Sequence, residues 1–229
     1  MAGYVFCILI TLVMPVLLTV VICVRIKTAT PALLGASCFL VSQVFTRLPL
    51  LQYVLPKNAG YVIFQIKYPL CYILMLALSA GVFEECGRWF FMRAGRIESA
   101  VKGVVFGFCH GGVEAILFVG IPALRLLFSP PGEWSDATAH FPLAATERAF
   151  AIVAHVGLSL LVLAGVERRK KQLLLLAVLL HSLLDFSVVY SALAGMDGWL
   201  VETIAAAYST GILLLSLYVY VKGKGRDYK

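Results

Sequence analysis

Residues 4–24 read YVFCILITLVMPVLLTVVICV, an apolar run without a charged side chain. A helix that crosses the hydrocarbon core of a bilayer needs about 20 apolar residues, so this run is long enough to span a membrane. No basic residue precedes it, and it is too long for the apolar core of a cleaved signal peptide. Arg25 and Lys27 follow it instead. We therefore expect a retained transmembrane helix whose N-terminus lies outside.

The rest of the 229-residue chain has the same apolar character. Hydrophobic residues make up 61% and charged residues only 14%, whereas soluble domains are about 25% charged. Seven spans of about 20 residues each occupy roughly 140 residues, which leaves no room for a second, soluble domain. We predict an all-α integral membrane protein, a seven-transmembrane-helix bundle with one polytopic domain over 1–229. The apolar runs place its spans at approximately 4–24, 31–55, 61–92, 99–128, 141–166, 171–192 and 199–221.

Basic residues alternate between the ends of these runs. Thirteen of the 19 Lys and Arg residues follow the first, third, fifth and seventh runs. Because basic loops stay on the cytoplasmic side of a membrane, the pattern predicts an N-out, C-in orientation. The segment 129–140, SPPGEWSDATAH, is predicted to be a solvated outer connector. The net charge of +7 is thus an orientation signal, and no basic patch with interleaved aromatic residues indicates nucleic-acid binding.

Charged residues inside the runs mark a candidate site, because a charge near the bilayer centre costs a few kcal/mol or more and is functional by default. The third run contains FEECGRW at 83–89. On a helix, Arg88 lies three residues from Glu85 and four from Glu84, so it can reach either carboxylate. We predict that Arg88 pairs with one of them and leaves the other free as a base or a ligand. The alternative is a plain ion pair that locks two helices.

Two later runs each carry a histidine followed four residues on by a carboxylate, which places both on one helical face. These pairs are His110 with Glu114 in HGGVE and His181 with Asp185 in HSLLD. Each pair is either a ligand with a carboxylate beside it or a hydrogen-bonded packing pair. The fifth run adds His155, which is either a further member of the site or a satisfied core histidine.

The four helices carry these groups at similar depth. Glu85, His110 and His181 lie eight to ten residues from the nearest predicted cytoplasmic charge, and His155 lies thirteen away. At 1.5 Å per residue the depths are about 12 to 20 Å. We therefore predict that Glu84, Glu85, His110 and His181 approach one another and line a polar cavity that opens to the cytoplasmic side.

Imidazoles together with a carboxylate form a typical zinc ligand set. The candidate metal ligands are His110, His155 and His181, and Glu84 or Glu85 would then take a proton from the bound water. Without a metal, a glutamate and a histidine can activate water directly. Both routes lead to hydrolysis of an amide inside the membrane, and both stay open at this point. No serine nucleophile motif, phosphate-binding loop or HExxH motif is present.

The ordered motifs EExxR, HGGxE, Glu-Arg followed by His, and HxxxD resemble those of the YhfC family of membrane peptidases. That family is similar to the PrsW proteases and the type II CAAX prenyl proteases. By this resemblance Glu84 and Glu85 are the glutamate pair, and His110 and His181 are the core histidines. Arg88 follows the pair after two residues, as in YhfC and PrsW but not in the CAAX proteases, which disfavours a prenylated substrate. Further matching polar positions are Glu114, His155 and Asp185.

The resemblance implies an intramembrane protease of metallo- or glutamic type in a bacterial or archaeal plasma membrane. Its substrate would be a membrane protein or peptide reached within the lipid bilayer, and Zn²⁺ is the candidate cofactor. The catalytic residues it implies are Glu84, Glu85, Arg88, His110, Glu114, His181 and Asp185.

Two other functions are consistent with a polar core. One is a non-catalytic scaffold like the anterior-pharynx-defective subunit of gamma-secretase, which belongs to the same superfamily but lacks the full glutamate pair. The other is a small transporter that uses the carboxylates and histidines as a proton relay. A transporter would often show inverted repeats and interrupted helices, and the sequence shows neither.

Overall fold

The computed structural model describes residues 1–128 and 134–224, and these residues form helices and short connections without a strand. Seven helices are long and apolar enough to cross a membrane, so the predicted all-α, seven-span architecture is confirmed. These helices are α1 Ala2–Ile26, α2 Thr30–Lys57, α4 Pro69–Ala94, α5 Ala100–Phe128, α6 Trp134–Glu167, α7 Lys171–Leu193 and α8 Gly198–Lys224. A short helix, α3, covers Ala59–Lys67 between the second and third spans.

The predicted third span, 61–92, is wrong as a single element, because it contains α3 and most of α4. The chain breaks at Tyr68, whose φ of −129° and ψ of 62° are not helical. Pro69 causes this break, since a proline disfavours helical backbone in the residue before it and has no N–H to donate. The transmembrane helix therefore begins at Pro69, and the residues before it lie in a separate short helix.

The predicted connector 129–140 is also shorter than expected. Helix α6 already begins at Trp134, while residues 129–133 lie outside the described residues. Polar composition indicated a loop, but a helix satisfies its own backbone hydrogen bonds and can extend beyond the apolar part of a span. The apolar part of α6 is His140–Glu167.

Helix α6 lies at the centre of the bundle. Of its apolar span 67% is buried, compared with 17% for α1 and 22% for α7. Its side chains Leu158 and Leu161 pack in a cluster with Phe106 of α5 and Ile212 of α8. The outer helices expose large aliphatic side chains instead, as expected for surfaces that face lipid.

Glycines let the helices approach closely at the level of the glutamate pair. A Cβ at Gly107 would lie 2.5 Å from the carbonyl oxygen of His155, and one at Gly111 would lie 2.9 Å from the ring of the same histidine. On the opposite side, a Cβ at Gly81 would lie 2.7 Å from the carbonyl oxygen of Val178. Small residues therefore bring α5 against α6 and α4 against α7, as in many membrane helix pairs.

Short turns join successive spans, so the bundle has two distinct ends. The basic-rich end contains the turns 27–29, 95–99 and 168–170 and the end of α8. The basic-poor end contains α3, the turn 194–197, the end of α5 and the start of α6. Which end faces the cytoplasm stays a prediction from the charges.

Candidate functional site

The two adjacent glutamates of α4 are both buried and face different helices. Glu84 Oε2 lies 2.9 Å from Nε2 of His110 on α5. Glu85 Oε1 lies 2.7 Å from Nδ1 of His181 on α7. Neighbouring residues on a helix point about 100° apart, so a consecutive pair can serve two interfaces. These contacts confirm that the four predicted residues approach one another.

Arg88 pairs with Glu85, which confirms the prediction that it pairs with one of the two glutamates. Its NH1 atom lies 3.0 Å from each oxygen of that carboxylate, and both side chains are fully buried. Its NH2 atom lies 3.0 Å from Nδ1 of His155. A guanidinium can only donate, so Nδ1 of His155 accepts this hydrogen bond and the ring proton is on Nε2.

His155 belongs to the site, and Glu114 and Arg148 hold it there. Its Nε2 atom lies 2.7 Å from Glu114 Oε2. The other oxygen of Glu114 accepts a 2.7 Å hydrogen bond from Arg148, which also donates to Glu147. The carboxylate of Glu114 therefore links a histidine and an arginine of α6 to α5.

The i,i+4 spacing of the two histidine–carboxylate motifs does not produce direct hydrogen bonds within a helix. His110 bonds to Glu84 rather than to Glu114, and His181 Nε2 lies 3.7 Å from Asp185 Oδ2. Residues four apart share a face at a Cβ separation of about 5–6 Å, but groups on the facing helix are nearer to both rings. Of the two alternatives for these motifs, the hydrogen-bonded packing pair within one helix is therefore wrong.

A cavity of about 340 Å³ adjoins the cluster. Its polar lining includes Glu84, Glu114, His155, His181 and Asp185. The prediction that Glu85 and His110 line the cavity is wrong, although both contact residues that do. The glutamates thus differ in their surroundings: Glu84 faces the cavity, and Glu85 is enclosed between Arg88 and His181.

The prediction that the cavity opens toward the basic-rich end, which the charges assign to the cytoplasm, is wrong. On α4 the lining extends from Glu84 back to Ile73, and on α7 it extends from His181 on to Val189. Both directions lead to the basic-poor end. The reason is packing, because buried apolar side chains fill the bundle between the site and the basic-rich end. They include Met92, Ile97, Phe106, Leu161 and Leu163.

Two residues of α2 were missed by the sequence analysis. The amide nitrogen of Gln43 donates to Glu84 Oε1, and Arg47 NH1 donates to Gln43 Oε1 at 3.0 Å. Both side chains line the cavity. A usable signal was present, since Gln43 and Arg47 are polar residues four apart inside an apolar run, the same spacing as the two histidine motifs.

The donor set fits a divalent metal. Glu84, His110 and His155 each offer a ligand atom, and these atoms lie within 4.8 Å of one another in a buried group. Because Glu114 holds Nε2 of His155, the ligand atom of this ring is Nδ1, and a metal there would replace its hydrogen bond from Arg88. His181 is adjacent, with Nε2 4.0 Å from Glu84 Oε1. In two of the rings, the nitrogen that points away from Glu84 contacts a carboxylate, which is Glu114 at His155 and Glu85 at His181. Such a carboxylate is the usual support for a metal-binding histidine.

Comparison with known proteins agrees with these observations. The sequence model of the YhfC intramembrane metalloproteases matches residues 9–129 and 134–205. The chain belongs to this family. The YhfC match contains every residue of the cluster, from Gln43 to Asp185.

One relative is the uncharacterized membrane protein YhfC of Bacillus subtilis (strain 168). It is 33% identical over 193 residues, which cover 69% of this chain and 70% of the relative. No solved structure matches the chain. Together with its seven apolar helices, membership of the YhfC family makes this chain an integral membrane protein.

Proposed function

We propose that this protein is an intramembrane endopeptidase that hydrolyses a peptide bond in a membrane or membrane-proximal substrate segment. The observation that carries the proposal is the buried group of Glu84, His110 and His155, whose ligand atoms lie within 4.8 Å beside a cavity. Membership of a family named as metalloproteases supports the same reaction. Zn²⁺ is the metal we propose, because imidazole nitrogens are among its usual ligands in proteins and a catalytic zinc site leaves one position for water.

The histidines would hold the metal, and Glu84 would act as the base. His110, His155 and His181 direct ring nitrogens toward Glu84. When bound, Zn²⁺ lowers the pKa of a coordinated water and polarises a carbonyl group. Of the two glutamates, Glu84 is the one that lines the cavity, so its carboxylate can accept a proton from water and pass it to the leaving amine. Glu85 does not line the cavity and lies enclosed between Arg88 and His181, so water in the cavity does not reach it.

The cavity also limits the form of the substrate. A volume of about 340 Å³ is too small for two turns of a helix about 10 Å across. The substrate would therefore enter as a few residues of unwound chain. Free backbone groups inside a membrane need polar partners, and the cavity offers such groups at Glu84, Glu114 and Asp185.

We further propose that the protein lies N-out, C-in in the plasma membrane of a bacterium or archaeon. The thirteen basic residues at alternate span ends support this orientation. A reporter fused after Lys229 should be active only when it works in the cytoplasm. A fusion that is active only on the outer side would refute the orientation.

The test of the function uses purified protein in liposomes with membrane-spanning peptide substrates, assayed with and without a chelator. We expect Glu84→Gln to lower cleavage roughly 10²- to 10⁴-fold, the usual contribution of a general base, and His110→Ala to abolish it. The matched control is Glu98→Gln, because Glu98 is exposed in a turn at the basic-rich end.

Each outcome separates the candidates. Loss of cleavage with chelator and recovery with Zn²⁺ supports the metal, whereas chelator-resistant cleavage that needs Glu84 supports the metal-free Glu–His route. Glu84→Gln protein that still binds one equivalent of Zn²⁺ supports the base assignment. Cleavage that survives both substitutions, or the absence of cleavage and metal from the wild-type protein, would favour the scaffold.

A further inference from the structure

Arg47 lies on the cavity wall inside the second membrane span. Its three nitrogen atoms are all engaged, and every acceptor is uncharged. Nε donates to Ser79 Oγ at 2.9 Å, NH2 to the carbonyl oxygen of Leu76 at 2.7 Å, and NH1 to Gln43 Oε1 at 3.0 Å. These bonds use three of the five N–H groups of the guanidinium and fix it in place without a direct carboxylate partner, so two N–H groups remain for a ligand.

The other two arginines around the site are neutralised by carboxylates. Arg88 contacts both oxygens of Glu85 at 3.0 Å. Arg148 contacts Glu114 at 2.7 Å and also Glu147. In the part of the chain that the structure describes, Arg47 forms no ion pair. A cation without a direct carboxylate partner in a membrane span is costly, and such residues mark sites for ligands or ions.

We propose that Arg47 binds a carboxylate of the substrate segment that occupies the cavity. Arginine is well suited to this role, because its planar fork of N–H groups matches a carboxylate and the pair is stronger where water is scarce. The carboxylate comes from an acidic side chain or from the C-terminus of the substrate. The proposal rests on the proposed peptidase function and assigns it a substrate class, namely membrane segments that carry an anionic group.

The position of Arg47 also locates this group relative to the cleaved bond. One side-chain amide, that of Gln43, separates the guanidinium from Glu84. Arg47 lies one helical turn beyond Gln43 toward the basic-poor end, the direction in which the cavity extends. A residue of extended chain advances about 3.3 Å, so the carboxylate lies within a few residues of the scissile bond on its basic-poor side.

The experiment measures binding and cleavage of two matched pairs of labelled apolar peptides. One pair differs by an internal Glu or Gln, and the other by a C-terminal carboxylate or amide, which separates the two sources of the anion. Binding is read by fluorescence anisotropy and cleavage by mass spectrometry, for wild-type protein, Arg47→Gln and Arg125→Gln. Arg125 is the matched control, since it is exposed at the same end of the bundle and outside the cavity.

We expect wild-type protein to bind the carboxylate member of at least one pair roughly ten- to a hundredfold more tightly, the range for a charge-assisted hydrogen bond. Arg47→Gln should lose this preference, and Arg125→Gln should keep it. A purely structural role for Arg47 would instead weaken both members of each pair by the same factor, which would overturn the proposal.

A wild-type measurement keeps the proposal testable if Arg47→Gln does not fold. A peptide with Lys at the variable position should bind more weakly than the Gln peptide, and no variant is needed to see this. Cleavage without any preference among Glu, Gln and Lys overturns the role of Arg47 and leaves the peptidase function intact. A preference without cleavage removes the peptidase function and leaves a binding site for acidic membrane segments.

Discussion

Two histidine–glutamate–arginine arrays support the site, and in the one we name the buried array the glutamate and the arginine are fully enclosed. It consists of His181, Glu85 and Arg88. Nδ1 of the histidine lies 2.7 Å from the carboxylate, and the guanidinium contacts both carboxylate oxygens at 3.0 Å. The side chains of Glu85 and Arg88 are 0% exposed. No water can replace either partner without a rearrangement of the helices.

The second array, the cavity array, uses the same residue types on the cavity wall. It consists of His155, Glu114 and Arg148, with both contacts at 2.7 Å. Here the arginine and glutamate side chains are 12% and 16% exposed, and both line the cavity. Arg148 also pairs with a second carboxylate, that of Glu147, so its charge keeps a partner if the contact with Glu114 is lost.

The comparison shows that burial decides how much the same three residue types contribute to the stability of the fold. A buried charge that loses its partner keeps the full penalty of desolvation, so changes in the buried array act on folding. A charge on the cavity wall regains water when its partner is removed, and such pairs contribute little to stability. Changes in the cavity array should therefore alter the position of His155 and its binding of a metal rather than the free energy of unfolding.

The largest expected effect is that of Arg88→Ala. The substitution leaves the buried carboxylate of Glu85 without its arginine and with His181 as its remaining partner, and we expect a loss of about 3–5 kcal/mol in the free energy of unfolding, with cleavage lost as well. Arg148→Ala is the matched control and should lose less than Arg88→Ala, because Glu114 and Glu147 lie on the cavity wall and can regain water. Denaturant-induced unfolding in mixed micelles measures both. Equal losses of unfolding free energy in the two variants would contradict the proposed difference between the buried array and the cavity array.

The next effect concerns the metal and the cavity array. Glu114→Gln should lower Zn²⁺ affinity roughly 10- to 100-fold, because support of a ligand histidine by a carboxylate contributes that much, while the unfolding free energy changes little. Competition with a chromogenic chelator measures the affinity. Glu147→Gln is the control, since its described contacts are with Arg148 alone. Unchanged affinity in Glu114→Gln would remove His155 from the ligand set.

The sequence was sufficient to predict seven spans and the common level of the site residues along the bundle. Bilayer thickness fixes the length of an apolar run, and the rise per residue converts the distance from a basic turn into depth. Glu84, His110, His155 and His181 therefore could be placed at one level before any contact was known. The break at Tyr68 and Pro69 was also readable, but the continuous hydropathy from 61 to 92 concealed it.

The partners within that level could not be predicted, because they depend on contacts between helices. The spacing of His110 and Glu114 specifies a shared face but not which neighbouring helix that face meets. Gly107 and Gly111 bring α6 close enough for Glu114 to reach His155 instead. The direction of the cavity likewise depends on which end is filled by bulky side chains such as Phe106, and the motifs carry no information about that.

The smallest expected effect is that of Asp185→Asn, and it compares two carboxylates on the same histidine. Glu85 holds Nδ1 of His181 at 2.7 Å and is 0% exposed, whereas Asp185 lies 3.7 Å from Nε2 and is 37% exposed. A solvent-accessible contact of this kind contributes about 0–1 kcal/mol, so cleavage and Zn²⁺ affinity should fall less than about threefold. Glu85→Gln is the matched change and should lower the affinity roughly 10- to 100-fold. If the two variants lose affinity equally, Asp185 is part of the catalytic set that the HxxxD motif implied, and the nearer, buried carboxylate is not what orients His181.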